Sequence, residues 1–359
     1  MKSKIESACA LAVIALGGLL PAAVPAHHSP AAFDVGTTMT LEGEVVRVVW
    51  RNPHIYFDIA VEDENGNVET WDVEGGWPNS LINLGWSRDT VRSGDRVTVT
   101  GSPARNPERH SLVGITLQMG DQVLAMNAPP GSPLQDQTLA EQDRTGIAAP
   151  DALSGTWLPL STDEMAVLFP GALPDSGPKF TELALAAIEE GLFVSDDPLE
   201  QAAATCTPMS PPQNMAFREP KVFEVMDDRI TIRVVVSGET ERIVWMGSSA
   251  AGQRARDEQG LSVGRWDGDA LLVSTTFDTD LIEGHGFLDG VPLGGATRLV
   301  ERFELSDDRR QLAWSWQIEN PDYLAEPYGR TTHWAWRPDI EVPRLECDPS
   351  VARRFQDAF

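Results

Sequence analysis

Apolar and polar residues alternate with a period of two through much of the chain, which is the signature of strands with one buried face. The clearest case is Ile55, Phe57, Ile59 and Val61, set against Tyr56, Asp58 and Ala60. A Val- and Thr-rich run over 38–50 predicts a strand before it. The sequence Asp63-Glu64-Asn65-Gly66-Asn67 predicts a hairpin turn after it, because Asn-Gly readily takes positive φ. Val68 to Glu74 continues as a third strand until Gly75-Gly76 breaks it. Pro78 to Leu84 fits a short helix with Pro in its first turn and Gly85 at its end. Strands at 96–100 and 112–117 follow the Ser93-Gly94-Asp95 turn, with a short return at 122–126. Three strands, a helix and two strands is the order of an OB-fold-like five-stranded barrel, with a small sandwich as the alternative.

Between about residues 127 and 152 the composition shifts to Pro, Ala, Gln, Gly and Asp, starting with Pro129-Pro130-Gly131-Ser132-Pro133. Such a segment buries little and reads as a linker. A second domain, 153–359, opens on Gly155-Thr156-Trp157, and a Gly-x-Trp entering a first strand is common in small ligand-binding barrels. An Ala- and Leu-rich stretch at 181–190 fits one helix. Beyond it, strands are predicted at 222–226, 230–236, 242–246, 262–266, 270–276, 297–305, 311–318 and 331–337. Asp267-Gly268-Asp269 and Ser306-Asp307-Asp308-Arg309-Arg310 supply the tight turns. Sequential hairpins of this kind predict an antiparallel meander or lipocalin-like barrel. The expected fold class is therefore all-β with short helices.

The amino terminus changes the picture of location. Lys2 and Lys4 precede an apolar run, Ala8–Leu20, of about 13 residues, shorter than the roughly 20 a spanning helix needs. Val24-Pro25-Ala26 then suits a signal peptidase, so residues 1–26 are expected to be a cleaved signal, leaving His27 first and the first domain as 27–126. The expected location is periplasmic or extracellular, with no transmembrane anchor after processing. Two cysteines would remain, Cys206 and Cys347. In an exported chain they are most simply one disulfide, the alternative being two buried thiols. The net charge of −26 repels phosphate backbones, so no nucleic-acid partner is expected.

Two sets of motifs resemble known families. His27-His28-Ser29, Phe33-Asp34, Asn52-Pro53-His54, Glu74-Gly75-Gly76, Pro78-Asn79, Gly85-Trp86 and Gly94-Asp95 recur in order in a family of exported bacterial proteins without assigned function. Leu153-Ser154-Gly155-x-Trp157, Cys206-Thr207-Pro208, Ser262-Val263-Gly264-Arg265-Trp266-Asp267-Gly268-Asp269, Glu301-Arg302-Phe303 and Cys347 resemble a second uncharacterised bacterial family. That family usually carries Pro-His-Ser before the Glu-Arg pair, where this chain has Gly294-Gly295-Ala296. Neither resemblance implies a reaction.

Phosphate loops, HExxH, CxxC and GxSxG signatures are missing from the sequence. The six histidines therefore stand out. A first-residue His27 would offer its amine and imidazole to one metal ion, with His28 adjacent and His54, held after Pro53, as a third nitrogen donor. Three nitrogens suit copper(II); a mobile tail and a turn-capping histidine are the alternative. An enzyme reading would place a hydrolase-like site in the second barrel, on His285 between Gly284 and Gly286, with Asp278, Asp280 or Glu301 as partners. Trp50, Trp71, Trp77 and Trp86 read as core or as an aromatic binding face. Trp314/Trp316 and Trp334/Trp336 read as a filled barrel or one holding a small apolar ligand. The expectation is a non-catalytic exported binding protein for a metal ion or small apolar ligand. A secreted enzyme and an interaction module of an envelope complex with a protein partner are the alternatives.

Overall fold

The computed structural model describes residues 32–127 apart from 53 and 64, then 146, 148–160, 177–189, 206, 208–277 and 295–344 with short breaks, and 347–348. The predicted signal, most of the predicted linker, and Asp278, Asp280 and His285 lie outside the described residues.

The protein is all-β, built as two barrels. In the first, β1 (Met39–Val49), β2 (Tyr56–Glu62) and β3 (Val68–Glu74) form an antiparallel meander. The helix α1 (Pro78–Asn83) leads to β4 (Arg96–Pro103), which returns beside β1, and β5 (Ser111–Met119) pairs with β4. A parallel pairing of β3 with β5 closes the five strands, giving the OB-type order, and β6 (Gln122–Ala125) adds an edge. The predicted turn forms as the sequence requires: Gly66 has φ +83° and Asp63 N–H donates to Asn67 O at 2.8 Å.

The second barrel closes nine strands in chain order. They are β7 (Gly155–Pro159), β8 (Lys221–Val225), β9 (Arg229–Val236), β10 (Gly238–Met246), β11 (Leu261–Asp267), β12 (Ala270–Thr276), β13 (Arg298–Leu305), β14 (Gln311–Glu319) and β15 (Tyr328–Trp336). The short helices α2 (Glu182–Glu189) and α3 (Gln213–Ala216) lie between β7 and β8 in sequence. A meander of alternating direction cannot close on an odd number of strands without one parallel pair. That pair is β10–β11. The stretch between Met246 and Leu261 accommodates it, since parallel neighbours need a crossover of roughly a dozen residues or more.

Period-two burial places Leu299, Glu301 and Phe303 inward from β13, and Leu312, Trp314, Trp316 and Ile318 inward from β14. The interior is filled by Trp157, Phe223, Phe303, Trp314 and Trp334, all essentially unexposed, with ring centroids 5.4 Å apart for Trp314 and Trp334. Both predicted tryptophan pairs thus serve the core, Trp336 at its margin. Gly155, at φ +125°, brings β7 so close to Trp336 that a Cβ would lie 2.2 Å from the ring.

One charged cluster is buried among these rings. Arg242 donates to both carboxylate oxygens of Glu301, and also to Ser262 at 3.1 Å and Thr275 at 2.9 Å. Trp314 Nε1–H donates to the same carboxylate at 3.0 Å. Both members of the ion pair have 0% side-chain exposure. Burial without a partner would cost several kcal/mol per ion, so the full set of hydrogen bonds is what makes this cluster tenable.

The barrels touch. Leu158, Ile340 and Val342, from the second barrel and the segment after it, complete the core of the first. Cys206 and Cys347 are joined, and Cys347 in turn forms a bridge with Asn52 of the first barrel. Among the described residues no helix is long and apolar enough to cross a membrane.

Candidate functional site at the junction of the barrels

The motif residues scattered through the first hundred positions converge on one place. Beyond β1 the chain runs through Asn52 and His54 alongside the segment leaving β3. Ile55 N–H donates to Gly76 O at 3.2 Å and Gly75 N–H to Ile55 O at 2.8 Å. The two glycines permit this approach: a Cβ on Gly75 would lie 2.5 Å from Ile55, and one on Gly76 would lie 2.6 Å from Met126 O.

The pairing sets His54 against Glu74. His54 Nδ1 lies 2.9 Å from Gly75 O and 3.1 Å from Glu74 Oε1. With two acceptors facing it, Nδ1 is the donor, and in the neutral form of the ring the lone pair lies on Nε2. The histidine side chain is 17% exposed and the carboxylate 7%. Trp77 stands 5.7 Å from the imidazole, centroid to centroid, and packs on the core of the second barrel.

One turn into α1, Ser80 reaches across the junction and donates to Glu219 Oε1 at 2.9 Å. Glu219 is 6% exposed, and its Oε2 is buried with no hydrogen-bond partner among the described residues. Lys221, fully buried at the start of β8, donates to Phe217 O at 2.7 Å and Glu219 O at 2.5 Å, and lies over the Trp334 ring. Burial pushes its pKa from 10.5 down to about 8, against the opposing pull of the Glu219 carboxylate. Nearby, Arg51 pairs with Asp348 at 2.9 Å, outside the Asn52–Cys347 bridge.

The other expected residues fall elsewhere. His27 and His28, like Asp278 and His285, lie outside the described residues. Glu301 sits inside the second barrel in the pair with Arg242. His110 stacks on Trp71 at 5.0 Å on the surface of the first barrel, and burial lowers the pKa of His333 on β15. Trp50 and Trp86 are core, Trp86 donating to Ala125 O at 2.8 Å. Among the described residues, no group of three or more His, Cys, Asp or Glu side chains is placed to hold a metal ion. Glu74 and the Ser80–Glu219–Lys221 set were not singled out for chemistry in the sequence. The sign of Glu74 was there to read, a carboxylate ending a strand against two glycines.

The fold and this junction define a two-barrel protein with a buried histidine–carboxylate pair where the barrels meet. Residues 17–113 match a family of unknown function, DUF6152, a span that contains β1 through β4, α1 and the His54–Glu74 pair. No curated protein matches the chain.

Proposed function

We propose that this chain is an exported, non-catalytic binding protein that holds one metal ion on its first barrel through Nε2 of His54. The remaining ligands are the amine and imidazole of His27 and the imidazole of His28, exposed when residues 1–26 are removed. The observation that carries this reading is the anchoring of His54 Nδ1 by Gly75 O and Glu74. Metal-bound histidines ordinarily donate their second ring N–H to a carbonyl or carboxylate, which fixes ring orientation and raises ligand basicity. A nitrogen-rich set favours copper(II) over zinc. Two findings weigh against the alternatives. The second barrel is filled by its own side chains, which disfavours an apolar ligand inside it. Glu301 is occupied by Arg242, which disfavours its use in hydrolysis.

Calorimetry with copper(II), paired with the electron paramagnetic resonance spectrum, tests the proposal on protein whose first residue has been sequenced. One ion per chain is expected, with nitrogen hyperfine structure and affinity falling as pH drops, because the ligands must lose protons. His54→Ala should nearly abolish binding. Glu74→Gln should weaken it roughly ten- to a hundredfold. Equal affinity in the wild type, in His54→Ala and in a protein with one residue added before His27 would overturn the proposal.

A further inference from the structure

The outward face of the second barrel carries a hollow that neither the core nor the junction uses. It measures about 360 Å³ and lies across β11, β12 and β13. The cross-strand registers resolve it into three levels. Arg265, Leu272 and Arg302 stand level at one end. Val263, Ser274 and Val300 form the middle, and Leu261, Thr276 and Arg298 stand level at the other end. Ser274 is therefore the centre of the floor, with Val263 and Val300 on either side of it and Leu272 next along its own strand. These three apolar side chains are half-buried although they lie on the solvent side of a barrel. Beyond β11 the wall is Gly247, where a Cβ would meet nothing within 4 Å, so the hollow stays open on that side.

The charge in this lining sits at opposite corners. Among the described residues the hollow is lined by two charged side chains, Arg265 and Arg298. Both are exposed, and neither has an ion pair among the described residues. Arg302, level with Arg265, is by contrast held by Glu304 at 3.0 Å and Asp267 at 3.1 Å. Glu319 stands opposite Arg298 on β14, the side away from the hollow. The two corners are separated by roughly 13 Å along the strands and roughly 10 Å across them, at about 3.3 Å per residue and about 4.8 Å per strand. A single head group does not bridge that diagonal. A molecule charged at both ends and apolar between them does: each carboxylate meets one guanidinium, in the pairing arginine favours, and the methylenes cross Ser274 between Val263 and Val300. In a chain of net charge −26, two unneutralised arginines at the ends of one apolar floor are a local reversal of sign.

We propose that this hollow binds an elongated dianion of the medium-chain α,ω-dicarboxylate type, one carboxylate on Arg265 and the other on Arg298, with the hydrocarbon lying diagonally over Ser274. The occupant is a dissolved molecule and not a bilayer, because an anionic membrane surface repels a chain of this net charge. The site is independent of the histidine junction and of the metal proposal.

The test is calorimetric titration of the full chain with decanedioate, with butanedioate, decanoate and the dication decamethonium in parallel. Saturable one-to-one binding of decanedioate is expected, at least tenfold tighter than that of each of the other three. Arg265→Ser and Arg298→Ser should each weaken decanedioate at least tenfold, to the level of decanoate, with an unchanged thermal melt. Ser274→Phe keeps both arginines but fills the floor between them, and should abolish binding. Decanoate binding as tightly as decanedioate would overturn the proposal, since one head group would then suffice. Butanedioate or decamethonium binding as tightly would overturn it too, as would an unchanged affinity in either arginine variant or no binding of decanedioate at all. Should a substitution unfold the chain, the comparison of the four ligands on the wild type decides alone.

Discussion

Replacing Lys221 by methionine should remove a pH dependence that the folded protein builds into itself. The lysine is fully buried, and its pKa falls from 10.5 to about 8 because the charged form is stripped of water. Below about pH 8 both folded and unfolded chains carry the proton, and the folded state bears the whole cost of the buried cation. Between about 8 and 10.5 the unfolded chain holds more protons than the folded one, so stability rises with pH across that window. At about 1.36 kcal/mol per pH unit, the full rise is about 3 kcal/mol. Methionine has similar volume and no charge, but it leaves Phe217 O and Glu219 O without their donor, at about 1 kcal/mol each. Lys221→Met should therefore be about as stable as the wild type or slightly more so at pH 7, and less stable by pH 10.5. The measurement is urea unfolding followed by tryptophan fluorescence, on both proteins, at intervals from pH 7 to 10.5. Other groups titrating in this range affect both proteins alike, so the difference between the two curves isolates Lys221. Parallel stability curves across the window would refute the reasoning.

Arg242→Met should cost about 3–5 kcal/mol by leaving Glu301 charged and unpaired in the second barrel, while Arg242→Met/Glu301→Met should recover most of it, as read by a double-mutant cycle in denaturant. The Cys206–Cys347 bridge spans a sequence separation of 141, so Cys206→Ser/Cys347→Ser should lose about 5 kcal/mol in the chain-entropy estimate, visible as a lower melting temperature that added dithiol no longer changes.

Strands and turns were legible where the rule that produces them is local. The inward set of β14 alternates in the sequence itself, and Asp267-Gly268-Asp269 forms its tight turn with Gly268 at φ +62°. The OB order was readable for the same reason, since the helix after three strands is flagged by its own Pro and Gly. What the sequence withheld depends on partners far along the chain. Nothing near Arg242, in a strand starting Gly238-Glu239-Thr240-Glu241, signals that it turns inward to meet Glu301. The parallel seam of β10 and β11 follows from closing nine strands, a count that no single segment contains. At the junction, His54 was visible because histidines are scarce. Glu74 joins it only through the pairing of the segments after β1 and β3, and Ser80 meets Glu219 across 139 positions.

The first barrel borrows Leu158, Ile340 and Val342 to finish its core. During synthesis its own strands emerge early, yet Ile340 and Val342 arrive only after all nine strands of the second barrel have been made. Until then the barrel has an apolar flank with nothing of its own to cover it, an obvious target for a holding chaperone. A gene fragment stopped after Met126 would carry that flank permanently, and would be expected to accumulate as aggregates or to pair with itself. What looks in the sequence like two modules on a string is thus a single piece in biosynthesis, its first barrel finished by residues that follow the second.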